Sequence, residues 1–285
     1  MTKSPQQTIL RRVLVFSLLS LLVVLFYGIA VEPYSLDVRH VTIHDARLAQ
    51  ILGDKVVVQI SDLHIGNIGK RELKLLDMLR DIEPDYIFLT GDYVKWKGDY
   101  EAALTFLSQL HAKRAIYAVL GDYDYSNSRK SCLFCHKAES GEFTERHAIH
   151  FLRNSGKAID TERGDVWIAG LEKKDEEPFG SSPFLNNLHT DEPLIILCHS
   201  PLVFDHLSMT QPALILAGDT HGGQIPLPSW IFKALGYRKN AFYNEGIFAQ
   251  GSKVMYVSRG IGTSHLPIRI LRKPEIAVLQ FSTNY

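Results

Sequence analysis

Apolar residues recur along the chain in short uninterrupted runs that alternate with stretches of helical spacing. The first half reads as strand over 55–59, helix over 70–80, strand over 84–90, helix over 100–111 and strand over 115–120. Continuous β-branched runs of this length predict buried strands, and apolar residues three or four positions apart predict helices packed against them. The alternation predicts parallel strands joined by crossover helices.

The second half carries further short apolar runs with fewer helical stretches between them. Strands are expected at 38–43, ahead of the first unit, and then at 148–152, 166–170, 193–197, 213–217, 254–257 and 276–281. The last two runs are expected to close the fold.

The N-terminal part has a different pattern. Residues 13–31 form an apolar run with no charged side chain, long enough to cross a bilayer as a helix. Lys3, Arg11 and Arg12 precede it, so the positive-inside rule places residues 1–12 in the cytoplasm. We expect a cytoplasmic tail over 1–12, a single-pass anchor in the cytoplasmic (inner) membrane over 13–31, and an extracytoplasmic domain over 32–285. A cleaved signal sequence is the alternative.

Composition narrows the function classes. The chain has 31 basic and 31 acidic residues, so it carries no electrostatic footprint for nucleic acid. Three cysteines are too few for a disulfide scaffold. Composition gives no indication of the oligomeric state.

Carboxylates and histidines follow nearly every strong strand. Asp62 and His64 come after the strand at 55–59, two residues apart, and a period of two would place both side chains on one side. A single strand-end Asp is usually a turn former. Because the carboxyl ends of parallel strands converge on one crevice, the whole set predicts a dinuclear metal centre. Its members are Asp62, His64, Asp92, Asp122, His199, Asp219 and His221.

The order of these motifs resembles the calcineurin-like metallophosphoesterases. The motifs read SDLH at 61–64, GDY at 91–93, GDYD at 121–124, CHSP at 198–201 and GDTHGGQ at 218–224. The segments at 31–34, 222–226 and 256–269 resemble the membrane-anchored or exported branch, which includes phosphodiesterases and UDP-diacylglucosamine pyrophosphatases. The resemblance implies an α/β fold: a four-layer sandwich of two mixed β-sheets flanked by helices, preceded here by one N-terminal transmembrane helix.

The resemblance also implies roles for individual residues. Asp62, His64 and His221 would hold the first of two divalent ions, and Asp122, His199 and Asp219 would hold the second. Asp92 would bridge the two ions, and a hydroxide shared between them would attack phosphorus. Asp92, Tyr123 and Asp124 are the candidate catalytic residues.

Three positions depart from the family pattern. Asp122 stands where the family has Asn, and Tyr123 and Asp219 each stand where it has His. Extra carboxylate favours harder ions, so among Mn, Mg, Fe and Zn we expect Mn. A tyrosine, with a reference pKa of about 10, is a poor general acid at neutral pH. A substrate with a good leaving group, such as a diphosphate or an activated diester, would suffer least.

Two further features leave alternatives open. Cys132, Cys135 and His136 form the C-x-x-C-H signature of c-type haem attachment, but the motif is short, and a local disulfide, a small metal clip or two ordinary thiols are the alternatives. His265 is a candidate substrate contact. Residues 228–239 mix large apolar side chains with basic ones, which suits either a membrane-interface segment or a short helix capping the core.

The favoured function is therefore hydrolysis of a phosphodiester or diphosphate at the membrane, with a lipid or nucleotide-lipid as the candidate substrate. The competing class is a catalytically degenerate or haem- or redox-linked membrane-anchored binding module. A lipid-precursor pyrophosphatase would need a cytoplasmic site, which conflicts with the charge bias, so the sequence does not fix the substrate.

Overall fold

The computed structural model describes residues 5–95, 98, 100–125, 134, 147–172, 191–207, 212–264 and 266–283. Its first helix, α1 (Pro5–Ala30), is long and apolar enough to cross a membrane. The helix begins at Pro5, so it includes most of the stretch expected to be the tail. Most of its large apolar side chains are exposed in the isolated chain, as a lipid-facing helix requires.

Twelve strands in the described part of the chain form two six-stranded sheets. The first sheet has the order β1-β12-β2-β3-β4-β5 and the second has the order β10-β11-β9-β8-β7-β6. Both are mixed, since β12 pairs antiparallel with β2, β10 with β11, and β6 with β7. The strands are β1 (Asp37–His44), β2 (Val57–Ile60), β3 (Tyr86–Thr90), β4 (Ala115–Val119), β5 (Ile149–Phe151), β6 (Ser155–Thr161), β7 (Gly164–Leu171), β8 (Leu194–Cys198), β9 (Ala213–Ala217), β10 (Gly246–Gln250), β11 (Lys253–Val257) and β12 (Glu275–Ser282).

Six further α-helices follow α1 in the described part of the chain, and the first of them contributes Leu48, Ile51 and Leu52 to the apolar cluster between the sheets. The six helices are α2 (Ala46–Leu52), α3 (Lys70–Ile82), α4 (Tyr100–Leu107), α5 (Val203–His206), α6 (Ser229–Ala234) and α7 (Arg238–Phe242). The apolar faces of α3 and α4 pack on the first sheet, and Val203 and Phe204 of α5 pack on the second. A third apolar cluster fills the space between the sheets. The result is the expected layered α/β architecture of two mixed sheets with helices.

Alternate residues of the central strands face different layers. Val57 and Phe88 point into the inter-sheet core, whereas Val58 and Ile87 point toward the helices. All of β2, β3, β8 and β9 is buried. Burial on both faces explains why these strands read as continuous apolar runs.

Several elements were not predicted from the sequence, among them β6, β10, α2 and α5. The strands β6 and β10 form the two opposite edges of the second sheet, and both contain several polar or exposed residues. The helix α2 has only seven residues, and its N-cap Asp45 accepts bonds from the backbone N–H groups of Arg47 and Leu48. The helix expected over 100–111 ends at Leu107.

Candidate metal centre

The candidate ligands lie in the loops at the carboxyl ends of five strands. Asp62 and His64 follow β2, Asp92 follows β3, and His199 follows β8. Asp122 follows β4, and Asp219 and His221 follow β9. The adjacent parallel pairing of β2, β3 and β4, and of β8 and β9, brings these loops together between the sheets.

The backbone that carries the ligands is unusual. Asp62, His64, Asp92, Asp219 and His221 all have positive φ, between 45° and 75°. Strand periodicity therefore does not place Asp62 beside His64, because β2 ends at Ile60 and a left-handed loop follows. The expected proximity is correct, but its expected cause was wrong.

Three ligands converge on the first metal position. Donor atoms of Asp62, His64 and His221 all lie within 4.8 Å of one another, and all three side chains are buried. The Nε2 atoms of His64 and His221 are 3.1 Å apart. Two nitrogens bound to one ion at 2.0–2.1 Å would be separated by roughly 2.9–3.4 Å, so this spacing fits a shared ion.

Both histidines of the first position are poised as neutral ligands. Burial lowers the pKa of His64 to about 4. Burial, followed by the charges of His64 and Arg269, holds the pKa of His221 well below its usual range. Neutral imidazole is the form that binds metal.

Asp92 lies between the two metal positions. Its Oδ2 atom is 3.5 Å from Nε2 of His64 and 3.4 Å from Nε2 of His199, while its Oδ1 accepts the backbone N–H of Tyr123 at 2.9 Å. Burial raises the pKa of Asp92, but the His199 and His64 imidazoles lower it more, so the net pKa is below the ordinary value. The geometry matches a bridging carboxylate, and that role stays a prediction.

His199 presents an unsatisfied nitrogen to the site. Its Nδ1 lies 2.8 Å from the Thr90 carbonyl, which fixes Nδ1 as the protonated atom of the neutral ring and turns the Nε2 lone pair inward. That buried Nε2 has no hydrogen-bond partner. A ring nitrogen of His199 and carboxylate oxygens of Asp62 and Asp92 lie within 4.8 Å of one another. Burial lowers the pKa of His199, but the Asp92 and Asp219 carboxylates raise it more, to well above its usual range, so a bound divalent ion would replace the Nε2 proton between these carboxylates.

The other two predicted ligands of the second position, Asp219 and Asp122, both lie beside the ammonium of a lysine. Asp219 Oδ1 lies 3.9 Å from His199 Nε2, but the Asp219 carboxylate is also paired with the ammonium of Lys239. Lys239 Nζ lies 3.7 Å from Asp122 Oδ2 as well. Burial lowers the pKa of Lys239, but the Asp219 and Asp122 carboxylates raise it more, so the ammonium stays charged.

Tyr123 and Asp124, the other candidate catalytic residues, occupy distinct positions. The ring of Tyr123 contacts the ring of His64 edge-on, with centroids 5.0 Å apart. Burial and the Asp92 charge raise the pKa of Tyr123, so it stays a phenol at neutral pH. Asp124 is buried and accepts the backbone N–H groups of Asp92, Gly121 and Tyr93, each at 2.7 Å. These bonds make it a positioning residue for the loops.

Glycines let these loops pack closely. A Cβ on Gly121 would lie 2.2 Å from Asp92 Oδ1, and one on Gly218 would lie 2.5 Å from Asp62 Oδ2. Any side chain at either position would displace a ligand carboxylate. The glycine of each G-D motif is therefore required by the approach of two loops.

Arg269, to which the sequence assigned no role, lies directly behind the ligands. Its guanidinium is fully buried and donates to the carbonyl groups of Gly262, Gly260 and Arg259, and one terminal nitrogen lies 3.4 Å from His221 Nδ1. Burial lowers the pKa of Arg269 to about 9, so it remains a cation at neutral pH. In the sequence, the indication of a role for Arg269 was its position in the segment 256–269, which resembles the exported branch.

Comparison with known proteins identifies the family. The family model for calcineurin-like phosphoesterases matches residues 55–223, which contain every candidate ligand. The chain belongs to the calcineurin-like phosphoesterase family. Members of this family use two divalent metal ions, and the ligand clusters described above lie where such ions would bind.

Curated relatives extend the similarity beyond the matched region. The chain is 29% identical over 273 residues to the metallophosphoesterase YkuE of Bacillus subtilis, covering 90% of this chain and 91% of that protein. It is 27% identical to the UDP-2,3-diacylglucosamine pyrophosphatase LpxG of Chlamydia trachomatis, covering 79% and 82%. It is also 27% identical to a transmembrane protein with metallophosphoesterase domain from Danio rerio, covering 92% of this chain and 61% of that protein.

Four predicted site residues lie outside the described residues. They are Cys132, Cys135 and His136 of the haem or disulfide motif, and the substrate candidate His265. Those interpretations stay predictions.

The end of α1 is tied to the metal-binding loop by a short chain of bonds. The Gly28 carbonyl accepts the backbone N–H of Arg269 at 2.8 Å, and the buried Glu32 carboxylate accepts that of Leu271 at 2.8 Å. Gln224, at the end of the GDTHGGQ motif, binds the same segment through the carbonyl of Ile268 at 3.0 Å. The C-terminal end of α1 therefore lies close to the candidate centre.

The segment 228–239 has one packed side and one exposed side. Phe232 is buried against Gly223, whereas Trp230, Leu235 and Tyr237 are 68%, 61% and 53% exposed. Leu271, beside the end of α1, is 71% exposed, and Leu266 in the same loop is 62% exposed. The exposed residues named here, with Phe242, are called the apolar rim below.

Proposed function

We propose that this protein is a membrane-anchored, metal-dependent phosphohydrolase that cleaves a phosphodiester or diphosphate. The observation that carries the proposal is the convergence of Asp62, His64 and His221 within 4.8 Å beside the orphan Nε2 of His199. Bound divalent ions supply a nucleophile at neutral pH and positive charge toward phosphoryl oxygens. The non-standard second position, with Asp122 and Asp219, is part of the proposal.

The chain's own residues supply the arrangement around that chemistry. Thr90 holds His199 with its free nitrogen inward, and the Tyr123 N–H holds one oxygen of Asp92 so that the other faces both histidines. Arg269 opposes protonation of His221. The Tyr123 phenol, protonated at neutral pH, can donate a hydrogen bond to a leaving oxygen but transfers its proton poorly. This favours substrates whose leaving group departs with little proton assistance.

Metal removal tests the function directly. We expect full-length protein in detergent to hydrolyse bis(p-nitrophenyl) phosphate or a nucleoside diphosphate ester with Mn²⁺, and to lose that activity on chelation. Adding Mn²⁺ back should restore it more fully than adding Zn²⁺, because the additional carboxylates suit a harder ion. Activity that survives chelation would contradict the proposal. Metal binding without hydrolysis of any diester or diphosphate would favour the binding-module alternative.

A lipid-linked diphosphate is the substrate class we propose. Three observations support it. The C-terminal end of α1 lies beside the site, the apolar rim lies on segments that bond to the GDTHGGQ loop, and the relative LpxG is named a UDP-2,3-diacylglucosamine pyrophosphatase. We propose that the domain lies outside the cytoplasm, because the basic residues Lys3, Arg11 and Arg12 precede α1. We therefore propose only the class of the substrate, which is a diphosphate carried on a lipid of the outer leaflet.

The apolar rim gives a testable prediction. The double variant Trp230→Ser and Leu271→Ser should lower the rate on a diphosphate lipid in vesicles by about tenfold, because roughly 1.4 kcal/mol of interfacial burial is lost. The rate on a soluble diester should not change. Leu73→Ser is the matched control, since Leu73 is 52% exposed on α3. Equal losses on both substrates would indicate a structural defect and contradict a role at the membrane.

A further inference from the structure

Lys239 reaches the metal centre from a segment outside the matched family region. It lies on α7, and its ammonium pairs with Asp219 and lies 3.7 Å from Asp122 Oδ2. The neighbouring Asn240 holds α7 in place, because its side-chain N–H₂ donates to the carbonyl of Thr220 at 2.7 Å. Lys239 is therefore positioned by the same loop that carries Asp219 and His221.

The ammonium and a second divalent ion would need the same oxygens. Asp219 and Asp122 are two of the ligands expected for that ion, and both carboxylates face Lys239. An ammonium has three donors and no lone pair, so it cannot join a metal's ligand set, and its charge repels a divalent ion a few ångströms away. The first position has no such competitor among the described residues: Asp62, His64 and His221 converge without a lysine between them.

The departures from the family pattern at Asp122 and Asp219 are consistent with a competition between the Lys239 ammonium and a second divalent ion. The family has neutral Asn and His where this chain has Asp122 and Asp219, and neutral ligands would give an ammonium no counter-charge. Two carboxylates at those positions create a site for a monovalent cation that the chain itself supplies. Lys239 is about a quarter exposed, between Asp219 at 13% and Asp122 at 41%, so its ammonium is reachable from solvent. From there it can donate to a phosphoryl oxygen as a point charge.

We propose that the ammonium of Lys239 takes the place of the second divalent ion, so that the centre binds one divalent ion at Asp62, His64, His221 and Asp92. The inference rests on the proposed phosphohydrolase function, because it assigns a cation to each of the two positions that face the phosphoryl group.

Metal counting tests the inference in the full-length protein in detergent. Equilibrium dialysis against Mn²⁺, with electron paramagnetic resonance of the bound ion, should give one Mn²⁺ per chain and the spectrum of an isolated ion. Lys239→Met frees Asp122 and Asp219 and should give two Mn²⁺ per chain with an exchange-coupled spectrum. Lys239→Arg should keep one ion. Lys233→Met is the matched control, since Lys233 is exposed on the adjacent helix α6, and it should also keep one.

The possible outcomes separate the two proposals. Two ions in the unmodified protein would overturn the role of Lys239 and leave the hydrolase function intact. One ion in both the unmodified protein and Lys239→Met would also overturn it, because removing the ammonium would not have opened the second position. No bound Mn²⁺ in any form would count against the phosphohydrolase itself. The count on the unmodified protein is decisive even if Lys239→Met does not fold.

Discussion

Replacing Asp92 with Asn is expected to lower kcat/KM for diester or diphosphate hydrolysis by more than about 10²-fold, since altering groups that merely support a metal ligand already costs 10–100-fold. Asp92 Oδ2 lies within 3.5 Å of the Nε2 atoms of His64 and His199, between the two cation positions. An amide removes a negative charge from that point and presents either a weaker ligand or an N–H₂ donor.

The fold should survive this change. The Oδ1 of Asn can still accept the Tyr123 N–H, and the side chain has the same size, so the close approach of Gly121 is preserved. The measurement is steady-state kinetics with Mn²⁺, together with thermal unfolding to verify the fold. Asp81→Asn, on the exposed side of α3, is the matched control and should leave the rate unchanged. A normal kcat/KM for the Asp92→Asn protein would show that Asp92 is not part of the metal centre.

Replacing Arg269 with Met is expected to lower the free energy of unfolding by about 3–5 kcal/mol. The guanidinium donates to the carbonyl groups of Gly262, Gly260 and Arg259. Met would remove this donor from all three, and within the described residues only the Gly260 carbonyl keeps another partner, the backbone N–H of Glu275 at 3.1 Å. Since a domain has roughly 5–15 kcal/mol of stability in total, the loss should be readily visible.

Lysine at this position should recover only part of the loss. It keeps the charge, but a single ammonium cannot donate along several directions at once as the planar guanidinium does. Denaturant unfolding of the full-length protein in a mild detergent measures both variants. Arg80→Met is the control: Arg80 is 73% exposed and forms a surface ion pair with Asp77, so about 1 kcal/mol or less is expected. A similar small effect for Arg269→Met would mean that the segment 260–272 relaxes to satisfy its own carbonyl groups.

The sequence predicted the sheets well where burial on both faces dictates composition. The strands β2, β3, β8 and β9 are apolar throughout, and each was predicted to within about two residues. The edge strand β10 was not predicted because it is mostly exposed and has no alternating pattern. Edge position relaxes the demand for apolar residues, so pattern analysis has little to detect there.

The candidate centre was predicted as a list of residues but not as a set of interactions. Motif order placed Asp62, His64 and His221 together, and the structure brings them within 4.8 Å. The cation at Asp219 could not be anticipated, because Lys239 lies in a segment whose composition suggested only a membrane interface or a cap. Pairings between distant segments depend on how short helices such as α7 pack, and composition does not determine that.

The left-handed backbone at Asp62, His64, Asp92, Asp219 and His221 has a consequence for engineering. Each such conformation costs of order 1 kcal/mol for a residue other than glycine, with Asp penalised less than His. Glycine at His64 or His221 would relieve that cost while destroying the ligand. Both imidazoles are buried, so the same glycine would open a cavity that costs more than the strain it relieves, and variants selected for heat tolerance alone should still keep both histidines.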